Sequence, residues 1–128
     1  MSTHMDLLAS LLSTIPDLEL AVLIGSRATG FEHAASDWDI AVQWSRNMEF
    51  MEQLAANEQL RTTLSSAFIV FGDAIDLIDM PKARLAMRAT IAEEGIPLKG
   101  GGSLAWHHFL QRTWRELEEH YWEQIYAA

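Results

Sequence analysis

Residues 20–39 read LAVLIGSRATGFEHAASDWD, and this stretch decides the fold and the chemistry of the chain. The apolar run Leu20–Ile24 stops at Gly25 and Ser26, which predicts a buried strand followed by a turn. The segment Asp37–Trp44 alternates between polar and apolar residues and predicts a second strand. Between them lies a loop that could hold about one helical turn. The polar residues are therefore expected at neighbouring strand ends.

Three aspartates in predicted strands form a candidate metal site. Asp37 and Asp39 are two residues apart, so both side chains leave the same face of the second strand. Adjacent carboxylates repel each other unless a cation compensates, and Mg²⁺ is usually held by one or two carboxylates plus substrate phosphates. Asp76 lies within a third predicted strand, Ala74–Met80, and joins the pair if that strand is adjacent. Three carboxylates could then hold two Mg²⁺ ions around a phosphoryl transfer.

Other interpretations of these aspartates stay open. Asp37 and Asp39 could form an exposed face of an edge strand. Asp73 and Asp79 compete with Asp76 for the third position. Asp73 follows Gly72 and is typical of a turn, whereas Asp79 lies on the opposite face of the strand from Asp76. At most one of Asp76 and Asp79 is therefore expected in the site.

The residues around the first turn form a candidate phosphate-binding site. Gly25 has no side chain to block a close approach of phosphate, and Ser26 offers a hydroxyl and a backbone N–H. Arg27 and Ser36 could add further donors. Alone, a Gly–Ser pair is an ordinary connection between a strand and a turn. Beside the aspartates, it predicts a site for a nucleoside triphosphate.

The remaining chain predicts helices around a small sheet. They are expected at residues 8–15, ending at Pro16; at 47–66, with a break near Asn57; at 81–94, opened by Pro81 and closed by Gly95; and at 104–126. Lys99–Ser103 is interpreted as a flexible joint. The predicted fold class is α/β (α+β): a small mixed β-sheet covered by helices, with a long C-terminal helix. We expect a single domain over residues 1–128, with its core at about 6–100.

The last helix is rich in aromatic residues, which fall into two groups. The first group lies with two leucines on a single helical face and is predicted to pack on its own domain: Trp106, Leu110, Trp114, Leu117 and Tyr121. Trp122 and Tyr126 lie off that face, one turn apart. Exposed aromatic side chains are typical of protein interfaces, so these two are candidates for binding a partner protein.

Composition excludes several classes of protein. The chain has 18 acidic and 9 basic residues and a net charge of −9, which disfavours direct binding to nucleic acid. It has no cysteine, so disulfides and thiolate metal sites are excluded. No apolar run reaches the ~18 residues of a membrane span. These features favour a cytoplasmic protein without a membrane segment.

The motif resembles that of a known superfamily. Gly25 and Ser26, ten residues, then Asp37-Trp38-Asp39 resemble the G-S-x10-D-x-D signature of the DNA polymerase β nucleotidyltransferases. The strand around Asp76 resembles the one that supplies that superfamily's third carboxylate. The short chain is similar to its minimal nucleotidyltransferases, which are antitoxin partners of HEPN ribonuclease toxins. The resemblance covers about residues 6–100.

This resemblance implies a function. Such a protein transfers AMP from ATP to a tyrosine hydroxyl of a cognate HEPN toxin and forms a hetero-oligomer with it. Asp37, Asp39 and Asp76 would hold two Mg²⁺ ions, with Asp76 also a candidate general base, and Gly25 and Ser26 would bind the triphosphate. Two alternatives stay open: transfer to a small molecule, as in aminoglycoside nucleotidyltransferases, and a non-catalytic module that neutralises a toxin by binding it.

Overall fold

A mixed four-stranded sheet lies at the centre of the computed structural model, which describes residues 3–30, 37–68 and 74–127. Its strands are β1 (Leu18–Ile24), β2 (Trp38–Trp44), β3 (Ile75–Asp79) and β4 (Ile96–Lys99). They are ordered β3-β2-β1-β4. β1 runs antiparallel to both β2 and β4, whereas β2 and β3 are parallel. β3 thus lies beside β2, which is the arrangement that allows Asp76 to join Asp37 and Asp39.

Among the described residues, five helices cover the two faces of this sheet, as expected for the predicted fold class. They are α1 (Thr3–Ser13), α2 (Ser26–Thr29), α3 (Phe50–Phe68), α4 (Leu85–Glu94) and α5 (Leu104–Ala127). No described helix is both long enough and apolar enough to cross a bilayer.

The alternation of β2 divides the core into two clusters. Trp38, Ile40 and Val42 pack with leucines of α1 and α3 on one face. Ala41 faces the other way and packs with Ile91 of α4 and Phe109 of α5. Since side chains two residues apart share a face, Asp39 lies on the α4–α5 side with Ala41. The predicted orientation of β2 is therefore confirmed.

The strand β4 is absent from the sequence-based prediction, which treated Lys99 as part of a flexible joint. Instead, Lys99 pairs with Ala21 of β1, and its ammonium group donates a hydrogen bond to the carbonyl of Ile15, which follows α1. Gly100–Ser103 then forms a defined turn. The Ser103 hydroxyl accepts a hydrogen bond of 3.3 Å from the Trp106 N–H and so caps α5.

Two predicted helix features are wrong. α3 continues through Asn57, because the Asn57 side-chain oxygen accepts a 2.7 Å hydrogen bond from the Trp44 indole N–H. Because a polar contact takes the place of an apolar one here, the apolar periodicity of the sequence is interrupted although the helix continues. α4 begins at Leu85 rather than at Pro81, because the residues after β3 first form a turn in which the Ala83 N–H donates to the Met80 carbonyl.

The packing of α5 differs from the predicted stripe. Phe109 and Thr113 are its buried residues, and Glu116 forms an ion pair with the buried Arg88 of α4. Trp106 and Leu110 pack against the core as expected, whereas the later stripe residues Trp114 and Tyr121 are exposed. All residues of α5 from 118 to 127 are exposed. The stripe fails there because the helix extends beyond the core that would cover it.

Candidate active site

The strand register brings two aspartates together. Asp39 pairs with Ile24 of β1 on one side and with Asp76 of β3 on the other. Residues that pair directly across neighbouring strands project from the same face, so the two carboxylates lie side by side. Asp37 immediately precedes β2. The predicted grouping of Asp39 with Asp76 thus agrees with the register, whereas Asp73 lies outside the described residues.

Asp79 is excluded from this grouping by its position. It lies three residues after Asp76, at the other end of β3, and pairs with Val42. Because strand side chains alternate, Asp79 projects from the opposite face to Asp76, as predicted. It therefore offers a matched control for substitutions at Asp76.

The carboxylate of Asp39 is the electrostatic centre of the site. Burial raises its pKa above the usual range, and the negative charges of Asp76 and Asp37 raise it further. All three aspartates therefore interact in the folded chain. A cation beside them would oppose each cause of the raised pKa, which is the behaviour expected of a metal-binding site.

The three carboxylates fit an ion that is bound together with a substrate. Within residues 3–30, 37–68 and 74–127, no three acidic or histidine side chains form a ready-made metal cluster. Mg²⁺ does not require one, since it usually takes one or two protein carboxylates and completes its coordination with water and phosphate oxygens. Asp37, Asp39 and Asp76 therefore suit Mg²⁺ that arrives with a triphosphate.

Gly25 is required by its close approach to Asp39. Its backbone has φ 77° and ψ −160°, a combination that is essentially restricted to glycine. A Cβ at this position would lie 2.5 Å from the Asp39 Oδ2 atom. Glycine therefore leaves the space that the Asp39 carboxylate occupies. This steric role adds to the predicted role in phosphate binding, and sequence reasoning missed it.

Ser26 begins the short helix that follows Gly25. The first backbone hydrogen bonds of α2 run from the N–H groups of Ala28 and Thr29 to the Gly25 carbonyl. The N–H of Ser26 is thus left unused by the helix, and it lies one residue from the glycine that contacts Asp39. This position is compatible with the predicted role of Ser26 in binding phosphate.

Arg27 lies against the aromatic side chain between the two motif aspartates. The carbon of its guanidinium group is 4.1 Å from the centre of the Trp38 ring, a cation–π contact. Trp38 is buried and stacks on Phe68 with ring centres 4.7 Å apart. Trp38 thus packs in the core behind the two motif aspartates. A nucleotide-binding role for Arg27 stays a prediction, as does that of Ser36, which lies outside the described residues.

Comparison with known proteins assigns the family. The family described as polymerase beta nucleotidyltransferase matches residues 7–100, and the chain belongs to it. A curated relative, the protein adenylyltransferase MntA of Aphanizomenon flos-aquae, is 33% identical over 88 residues. The match covers 66% of this chain and 59% of the relative, so it spans less than two thirds of that protein.

Solved structures share the fold. One, described as a toxin–antitoxin with AMP-PNP, has a TM-score of 0.67 at 24% identity and covers 98% of this chain and 94% of its own. Another, a tri-AMPylated Shewanella oneidensis HEPN toxin with its MNT antitoxin, has a TM-score of 0.63 at 23% identity. It covers 97% of this chain and 91% of its own. Both support the assigned fold over nearly the whole chain.

Replacing Asp76 with asparagine is expected to leave the metal-free protein as stable or to stabilise it. The raised pKa of Asp39 means that the folded chain binds this proton more tightly than the unfolded chain. The free energy of unfolding therefore falls as pH rises above 3.8 and through the raised pKa. Asp76→Asn removes one cause of that fall. In EDTA at pH 7, the melting temperature should be unchanged or higher by up to about 4 °C.

The control for this prediction is Asp79→Asn, the same change on the other face of β3. It should not relieve Asp39. Nucleotidyl transfer should be lost in Asp76→Asn and kept in Asp79→Asn. A marked drop in melting temperature for Asp76→Asn with transfer intact would identify Asp76 as a structural residue.

Proposed function

We propose that this chain is an antitoxin that transfers AMP from ATP to a tyrosine hydroxyl of a cognate HEPN toxin. The observation that carries the proposal is the position of Asp39, which lies in register with Asp76 and against the backbone of Gly25. The relatives support the choice of donor and acceptor, since one is a protein adenylyltransferase and another is a complex with an AMPylated toxin. Dependence on ATP also favours a cytoplasmic location.

The proposed reaction is an in-line displacement at the α-phosphorus of ATP. The tyrosine oxygen forms a bond to phosphorus, and the bond from phosphorus to the bridging oxygen breaks, so pyrophosphate leaves. Asp76 is assigned as the base that accepts the hydroxyl proton. Gly25 and Ser26 bind the triphosphate, with Arg27 and Ser36 as further donors. Two Mg²⁺ ions, held by the three aspartates, would neutralise phosphate charge.

A protein acceptor is favoured over a small molecule by the relatives, one of which is a protein adenylyltransferase. An acceptor bound as a folded protein would bring its own shape and orientation to the reacting hydroxyl.

The test is intact-mass spectrometry of the cognate toxin after incubation with this protein, ATP and Mg²⁺. The toxin should gain mass in whole AMP units and lose ribonuclease activity. A toxin that is neutralised with unchanged mass would favour the non-catalytic binding module. Transfer to aminoglycosides with no change in the toxin would favour the small-molecule alternative.

The exposed end of α5 is expected to bind the toxin. Trp122 and Tyr126 are 46% and 78% exposed, and their rings stack with centres 5.7 Å apart. Exposed, preorganised aromatic side chains are typical anchors of interfaces, where truncation costs about 2 kcal/mol or more. Trp122→Ala/Tyr126→Ala should therefore weaken toxin binding by roughly 30-fold. Surface plasmon resonance with immobilised toxin measures this.

A matched change elsewhere tests whether the effect is local. Met51 and Leu54 are also exposed, at 72% and 44%, but lie on α3. Met51→Ala/Leu54→Ala should leave toxin affinity near that of the wild type. Mg·ATP binding should be unchanged in both variants. Equal losses from the two double variants would contradict a specific role for the end of α5.

A further inference from the structure

A cationic groove lies at the end of the sheet opposite the aspartates. It consists of two adjoining cavities of about 340 and 390 Å³ that share Gln43, Arg46 and Arg112. The first also contains Arg115 and the second Lys82. This concentration of positive charge is notable in a chain whose net charge is −9.

Arg46, Arg112 and Arg115 form no ion pair among the described residues, where the two ion pairs engage Arg61 and Arg88. The hydrogen bond from Arg88 lowers the pKa of Glu116 on α5, and the charges of Arg112 and Arg115 lower it further. Each cavity holds one carboxylate: that of Glu19, which accepts a 3.1 Å hydrogen bond from Gln43, in the first, and that of Asp79 in the second. Arg46, Arg112 and Arg115 are exposed and available to an external anion.

The groove is distinct from the candidate active site. It begins where β2 ends at Trp44, whereas Asp39 lies near the start of that strand. An extended chain rises about 3.3 Å per residue, which separates the two by roughly 15–20 Å. An anion in the groove is therefore not the triphosphate in the candidate active site.

The exposed aromatic surface lies further along α5 than the groove, beyond the exposed Glu118 and Glu119. Arg115 and Trp122 are separated by two helical turns, so they project from the same side of the helix. The adjoining Tyr126 is exposed as well. A ligand that spans both regions needs negative charge at one end and apolar surface at the other. A segment of folded protein has this combination.

We propose that this groove binds an acidic segment of the protein whose tyrosine is modified, and so orients that partner along α5. This inference rests on the proposed function for the identity of the partner. Guanidinium groups bind carboxylates with two parallel hydrogen bonds, which fixes orientation as well as adding affinity. The groove thus steers an acidic partner that the rest of the surface repels.

The test compares Arg46→Gln/Arg112→Gln/Arg115→Gln with the wild type, and uses Arg84→Gln as an exposed control outside the groove. Binding of the cognate toxin should weaken about tenfold or more in the triple variant, mainly through slower association, with a smaller dependence on salt. A polyglutamate peptide, as a probe independent of the toxin, should bind the wild type and lose affinity in the triple variant. Mg·ATP binding should stay unchanged.

Each outcome separates this proposal from the proposed function. Unchanged binding of toxin and polyglutamate in the triple variant would overturn the proposal for the groove. Tighter binding of tripolyphosphate or RNA than of polyglutamate would also overturn it, because the groove would then recognise phosphate. A toxin that binds through the three arginines but gains no AMP supports the groove and overturns the transferase.

Discussion

Asp37→Asn/Asp39→Asn is expected to abolish AMP transfer and Mg²⁺-dependent ATP binding together. Asp39 lies in register with Asp76, and both neighbouring aspartates raise its pKa, so the three carboxylates act as one anionic site. Replacing two of them removes most of its negative charge at nearly constant side-chain volume. Loss of several kcal/mol of transition-state stabilisation lowers the rate by about 1000-fold or more. Calorimetry and mass spectrometry of the toxin measure the two effects.

Asp6→Asn/Glu93→Gln is the matched control, since it removes the same charge at exposed positions away from the site and from the cationic groove. It should transfer AMP at nearly the rate of the wild type. If the Asp37→Asn/Asp39→Asn protein bound Mg·ATP as tightly as the wild type, the assigned metal site would be wrong. If it neutralised the toxin fully, binding alone would explain antitoxin action.

Gly25→Ala is expected to reduce transfer about 100-fold by displacing one catalytic side chain. The new Cβ would lie 2.5 Å from Asp39 Oδ2, so the carboxylate has to move by about an ångström. The backbone conformation, with φ 77° and ψ −160°, adds a cost of about 1–3 kcal/mol to folding. The measurements are the rate of AMP transfer under saturating Mg·ATP and the melting temperature.

Gly30→Ala separates the steric effect from backbone strain. Gly30 also has a positive φ, of 85°, but a Cβ there would meet nothing within 4 Å. This variant should lose some stability and retain transfer. If Gly25→Ala retained transfer within a few-fold of the wild type, contact with Asp39 would not be the reason for glycine at position 25.

The sheet and its aspartates were predictable because the signals are local. The alternation of β2 places Trp38 and Asp39 on opposite faces, and the same rule separates Asp76 from Asp79. The apolar run that ends at Gly25 marks β1 in the same way. Each inference needs only a few consecutive residues. The aspartates then come together if the second and third strands lie side by side.

The features that were missed depend on residues distant in sequence. β4 is short and contains Pro97, so only its pairing with β1 identifies it as a strand. The continuity of α3 depends on a hydrogen bond from Trp44 to Asn57, and the contact of Gly25 with Asp39 depends on the register of two strands. The cationic groove likewise combines Arg46 with two arginines of α5.

The row formed by Ile24, Asp39 and Asp76 limits which changes of chain length the protein can tolerate. Adding one residue to β2 ahead of Asp39 would turn its carboxylate towards α1 and α3, although every motif residue would still be present. Adding two residues would return the Asp39 carboxylate to its original face, but Asp39 would no longer pair with Ile24 and Asp76. A relative could thus keep all three aspartates and still be inactive. Relatives therefore have to be compared by the strand register of the aspartates as well as by their presence.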